Sequence, residues 1–139
     1  MKKVLFLCTQ NACRSQIAEA LTNVRLAGKI KAFSAGIQPD KVHPVAIEIL
    51  KKRGIDISNA TSKHMDTFKD TDLDAVVTVC DNAHDNCPNL PISCQRLHFP
   101  IKDPAKAVGS KADIINAFEK TVEVIETQLI PLLEKRLLS

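Results

Sequence analysis

Apolar residues along this chain fall into a few short runs separated by longer amphipathic stretches. The run Val4 to Leu7 is continuous rather than alternating, as expected of a strand covered on both faces of a parallel sheet. A polar loop from Cys8 to Ala12 follows. Apolar positions then recur at Ile17, Ala20, Leu21, Val24 and Ala27, a helical stripe that Gly28 closes. "IKAFSAG" (30–36) reads as a second strand, and "HPVAIEILKKRG" (43–54) as a helix with Pro44 in its first turn and Gly54 past its end. "DAVVTV" (74–79) is a third buried strand and "RLHFP" (96–100) a short fourth. A long amphipathic helix fills the C-terminal stretch, with Ile114, Phe118, Val122, Ile125 and Leu129 on one face. Pro131 lacks the amide that would bond to Thr127, so a kink or an ending is expected there.

Strands alternating with helices predict an α/β fold, a doubly wound parallel sheet of four strands with helices on both faces. Ligands in such sheets bind beyond the carboxyl ends of the strands. Cys8 and Cys80 each stand at that end of a buried strand.

Length and composition narrow the picture. A chain of 139 residues suits one domain over 1–139, and no repeat, low-complexity stretch or linker divides it. The net charge of +3 comes from scattered Lys and Arg, and Trp and Tyr are absent, so no nucleic-acid surface is expected. The apolar run after "MKK" is too short for a signal peptide, and nothing approaches the ~18 apolar residues that a membrane span needs. A cytoplasmic location is expected, and with it cysteines used for catalysis, redox chemistry or metal binding rather than structural disulfides. The five cysteines cannot all pair.

Two segments carry candidate chemistry. In "CTQNACRS" (8–15) a five-residue spacing separates Cys8 from Arg14. A loop this short entering a helix can curl its amides around a tetrahedral oxyanion, with the helix N-terminus adding partial positive charge. Arg14 can hold two oxygens of that anion, and its charge with the Ser15 hydroxyl favours a thiolate at Cys8. The backbone of Thr9, Gln10, Asn11, Ala12 and Cys13 would line the cradle, with the Cys13 side chain structural. In "VVTVCDNAHDNCP" (76–88), Cys80, His84 and Cys87 leave a metal site, a disulfide and a redox pair all open. His43 and His64 read as local structure.

"LCTQNACRSQIAEA", "FSAG", "GIDISNATS", "VVTVCDNAHDNCP" and "DPA" (103–105), in this order, resemble the thioredoxin-coupled arsenate reductases built on the low-molecular-weight tyrosine phosphatase fold. The resemblance implies that Cys8 attacks arsenate held by Arg14 and the loop amides, that Ser15 supports the thiolate, and that Asp103 is the general acid. It further implies a relay in which Cys80 attacks Cys8 and Cys87 then attacks Cys80, leaving a Cys80–Cys87 disulfide for thioredoxin. A helical segment over 80–87 would hold those thiols roughly 10 Å apart, beyond disulfide reach, so the segment is expected to unwind on oxidation. Relatives hold a monovalent cation through residues matching Asn11, Glu19 and Ser34 and an acidic residue after "TS". Here that last position is Lys63, whose ammonium is expected near Glu19 in place of the cation. Gln10 stands where a small residue is usual. No cofactor is implied, and a monomer is expected. The alternatives are a phosphate-monoester phosphatase, a metal or metalloid sensor using Cys80, His84, Cys87 and Cys94, and glutathione with glutaredoxin as the reductant.

Overall fold

The computed structural model describes residues 1–80 and 94–138. Four strands form one sheet: β1 (Lys2–Cys8), β2 (Ile30–Gly36), β3 (Ala75–Thr78) and β4 (Gln95–His98). All pairs are parallel, in the order β2-β1-β3-β4. The chain therefore moves to one side of β1 and later crosses to the other, which puts the switch point at the carboxyl ends of β1 and β3. Cys8 ends β1 and Cys80 follows β3 by two residues, so the topology itself converges them.

Val4 through Cys8 are buried without a break, so both faces of the central strand are covered, as its unalternating sequence predicts. Helix α1 (Arg14–Arg25) packs on β1 and β2. Helix α2 (Pro44–Lys52) has Pro44 at its start, and Nδ1 of His43 accepts from the Val45 amide at 3.1 Å. Helix α3 (Lys111–Val124) opens with a reciprocal capping box between Ser110 and Asp113 and packs on α1 and α2. The His43 ring lies 4.8 Å from that of Phe118 on α3, while His64 caps a short 3₁₀ turn at Asp66. Both histidines are local structure, as expected.

Two details differ from the sequence pattern. Helix α1 stops at Arg25, so Val24 is 47% exposed and Ala27 lies outside the helix; Leu26, turned inward by the end of the helix, is buried instead. Pro131 neither ends nor breaks the C-terminal helix. The ladder widens to a π-helix over Ile125–Leu129, and the Ile130 amide donates to the Ile125 carbonyl. The widened turn absorbs the missing proline amide, and the helix resumes at Ile130–Leu133 before a second π segment, Glu134–Leu138. Phe118, Val122, Ile125 and Leu129 form the buried face, with Ile114 partly covered.

Candidate functional site

The loop between β1 and α1 is held entirely from its outer side. The carbonyls of Cys8, Thr9, Gln10 and Ala12 accept the amides of Ile37, Gln38, Asp40 and His43 at 3.2, 2.8, 3.0 and 2.8 Å. The Asn11 carbonyl accepts from Ser62 Oγ (2.9 Å) and Gln16 Nε2 (3.2 Å), and that of Cys13 from the Ile17 amide (2.8 Å). In a planar trans peptide the N–H points opposite to the C=O, so six outward carbonyls aim the amides of residues 9 to 14 into one concavity. The Asn11 amide shows the result, donating to Cys8 Sγ at 3.2 Å.

Three residues make this curl possible. Asn11 has φ of 53°, a left-handed value that Asn tolerates, and its buried side chain donates to Ser15 Oγ at 2.8 Å. Gly36, paired in register with Cys8, touches the loop backbone: a Cβ there would meet Asn11 N and Thr9 O, both at 2.8 Å. Ser15 is fully buried in the first turn of α1, with its Oγ 2.8 Å from Cys8 Sγ. The N-terminus of α1 has no side-chain cap and no acidic residue in its first turn, so its partial positive charge is left to whatever enters the concavity.

A cavity of about 400 Å³ opens above the loop, lined by Cys8, Thr9, Gln10, Ala12, Cys13, Arg14, Asp103, Ala105 and Lys106. Arg14 donates from Nη1 to the Ile101 carbonyl at 3.1 Å, and its Nη2 lies 3.6 Å from Asp103 Oδ2. Its Nε is buried with no hydrogen-bond partner among the described residues, a donor left unsatisfied. Asp103 caps the 3₁₀ turn Pro104–Lys106 through the Ala105 amide (3.0 Å), which places its carboxyl at the cavity wall. The Cys13 thiol, 5% exposed, donates to Asp103 Oδ1 at 3.6 Å. Burial first, and then the charge of Asp103, push that thiol up to about 12, so Cys13 stays protonated. Gln10 is exposed at the rim of the cavity.

The second thiol arrives at the same place. Cys80 is buried, and its Sγ lies 3.3 Å from Thr9 Oγ1, inside the loop that Cys8 begins. His84 and Cys87, and the expected helix over 80–87, lie outside the described residues. Cys94 is buried just before β4, and the Gln95 amide bonds to the Asp74 carbonyl, so it stands level with the start of β3. Six residues of strand-like chain separate that level from Cys80, on the order of 20 Å, so Cys94 cannot share a metal with Cys80.

Behind the loop, the residues matched to a cation site are partly taken up by the protein's own groups, although Ser34 Oγ is buried without a partner among the described residues. Asn11 Oδ1 already accepts from the Lys63 amide (2.9 Å) and from Gln16 Nε2 (3.0 Å), which occupies both its lone pairs. The Lys63 ammonium donates to the Thr61 carbonyl at 2.9 Å, and Gln16 Nε2 reaches the same oxygen at 3.1 Å. This brings a fixed positive charge to the face of α1 that carries Gln16 and, three residues on, Glu19. Burial raises the Glu19 carboxyl above its ordinary range, while the Lys63 charge pulls it back.

The sequence pointed to Cys8, Arg14, Ser15, Asp103 and Cys80; the fold sets Cys8, Arg14 and Asp103 around one cavity, with Ser15 against the Cys8 sulfur and Cys80 against Thr9. Gly36, the amides of Ile37, Gln38, Asp40 and His43, Ser62 and Lys106 were not singled out. Gly36 alone left a signal, a glycine ending the strand that neighbours the cysteine strand.

A cysteine at the switch point of a parallel sheet, under a cradle of amides with an arginine at its rim, defines a thiol-dependent enzyme that acts on tetrahedral oxyanions. The family model for low molecular weight phosphotyrosine protein phosphatase matches residues 3–138, and the chain belongs to that family. Within it, the chain is 39% identical over 128 residues to an arsenate reductase of Bacillus subtilis, covering 92% of each sequence. A solved arsenate reductase in the oxidised state superposes with a TM-score of 0.75 at 32% identity, covering 96% of this chain and 99% of that one. The thioredoxin-dependent arsenate reductase of Corynebacterium glutamicum superposes with a TM-score of 0.69 at 31% identity, over 95% of this chain and 63% of that one.

Proposed function

We propose that this protein reduces arsenate to arsenite through a thiol relay. The observation that carries the reading is the seating of Cys80 against Thr9, which gives the anion loop a second sulfur that ester hydrolysis would not use. The Cys8 sulfur, supported by the Asn11 amide and the Ser15 hydroxyl, attacks arsenic(V). Arg14 swings from Asp103 to grip the anion, whose remaining oxygens lie among the loop amides. Asp103 protonates the departing oxygen, which leaves as water. Cys80 then attacks Cys8 Sγ, the electron pair of the S–As bond stays with arsenic, and arsenite departs as a Cys8–Cys80 disulfide forms. Cys87 attacks Cys80, frees Cys8 and leaves a Cys80–Cys87 disulfide that thioredoxin reduces.

Lys63 supplies the positive charge behind the loop that a cation provides in relatives. The protein works as a cytoplasmic monomer of one domain; among the described residues, no helix is long and apolar enough to cross a membrane. Arsenate-dependent oxidation of thioredoxin, compared across Cys8→Ser, Cys80→Ser and Cys87→Ser, tests the relay. Loss of turnover in all three is expected, and a Cys87→Ser protein with full multiple turnover would overturn the third step. Phosphate-monoester hydrolysis is the alternative chemistry for the same loop and carboxyl. It leaves Cys80 idle, and the chain offers no Tyr or Trp to flank an aryl substrate.

A further inference from the structure

We infer that Cys13 is a positioning residue for the proton-transfer step: its thiol, by donating to Oδ1 of Asp103, selects Oδ2 as the oxygen that carries and delivers the proton. The inference rests on the proposed role of Asp103 as general acid. A carboxyl acting as an acid must hold its proton on one oxygen, and hydrogen bonds donated to the other decide which. Asp103 Oδ1 accepts two donors, the Ala105 amide at 3.0 Å and the Cys13 thiol at 3.6 Å. Both fill its lone pairs from the protein side.

Oδ2 faces Arg14, whose Nη2 stands 3.6 Å away. When an oxyanion claims the guanidinium, that contact loosens and Oδ2 is left toward the cavity, on the side where the substrate's oxygen must leave. A thiol suits this task because it donates without competing for the proton. The Cys13 thiol is held neutral by burial and by Asp103 itself, so it remains a donor throughout the pH range in which the reaction would run. Cys13 is also the last residue before α1, so the same position that fixes one loop amide fixes the acid, 90 residues away in sequence.

A double-mutant cycle tests this, read as the single-turnover rate at which the arsenic adduct on Cys8 forms and the arsenate concentration giving half that rate. Cys13→Ala should slow adduct formation about five-fold, the scale of one lost hydrogen bond between neutral groups, with the half-saturating concentration unchanged. In an Asp103→Asn background the same substitution should change neither quantity, because there is no acid left to orient. Losses that multiply across the two sites, or a half-saturating concentration that moves with the rate, would make Cys13 a structural residue of the loop and overturn the inference. Asp103→Asn protein as fast as the unaltered one would instead remove the acid itself. Should Cys13→Ala fail to fold, Cys13→Ser carries the same cycle: a shorter donor, it predicts a smaller loss that again vanishes beside Asp103→Asn.

Discussion

Thr9 Oγ1 and Cys80 Sγ lie 3.3 Å apart, which ties the anion loop to the thiol at the end of the neighbouring strand. A hydroxyl at that distance can donate to a Cys80 thiolate and orient it. Thr9→Val should therefore slow the release of arsenite several-fold while leaving the arsenic–enzyme adduct on Cys8 to form at its normal rate. Rapid-quench measurement of bound and free arsenic separates the two steps. Equal slowing of both would mean that Thr9 serves the loop and not Cys80.

Gly36→Ala should damage the site from behind. Its Cβ would collide with the backbone of Thr9 and Asn11, and backbone cannot rotate away as a side chain would. We expect a loss of about 1–3 kcal/mol in stability and, because the cradle shifts against the Cys8 sulfur, about a hundred-fold loss in turnover. Thermal unfolding alongside steady-state assays measures both; a variant with unchanged turnover would show that the cradle tolerates displacement.

Potassium should have no special effect. With both lone pairs of Asn11 Oδ1 filled and the Lys63 ammonium fixed on Thr61, neither turnover nor melting temperature should rise more with potassium than with sodium at equal ionic strength. Marked activation or stabilisation by potassium would contradict the built-in charge.

Cys13 should resist alkylation in the folded protein. A thiol at about 12 presents almost no thiolate at pH 8, so iodoacetamide should label it only after unfolding, as peptide mass mapping would read out. The sign of the linked stability follows. Since the folded value lies above the ordinary 9.0, this group's contribution is complete below pH 9 and is lost as pH rises toward 12. Cys13→Ala should lack that part of the alkaline decline in melting temperature.

Much of this was legible in the sequence, and the rest was hidden for definable reasons. The continuous run of β1 announced a strand covered on both faces, and C-x5-R marked the loop because curling six amides around an anion needs that spacing. Most of the outward hydrogen bonds that enforce the curl were not legible, since four of the donors are the backbone amides of Ile37, Gln38, Asp40 and His43, which carry no side-chain signature. The thiol of Cys13 and the carboxyl of Asp103 meet only through the fold, and neither residue type advertises the other. The ending expected at Pro131 did not occur for a different reason: the rule that proline ends a helix assumes an i→i−4 ladder, and the wider π turn before it takes up the missing amide.

The six carbonyls turned away from the cavity have one more consequence. A cup built from main-chain amides senses tetrahedral shape and negative charge, and phosphate offers the same two properties as arsenate. Phosphate should therefore occupy the cup and compete. Selectivity then belongs to the sulfur chemistry rather than to the fit, because only arsenic(V) readily accepts the electron pair that lets a disulfide form. In a cell rich in phosphate, the protein would spend much of its time holding the wrong anion and letting it go unchanged.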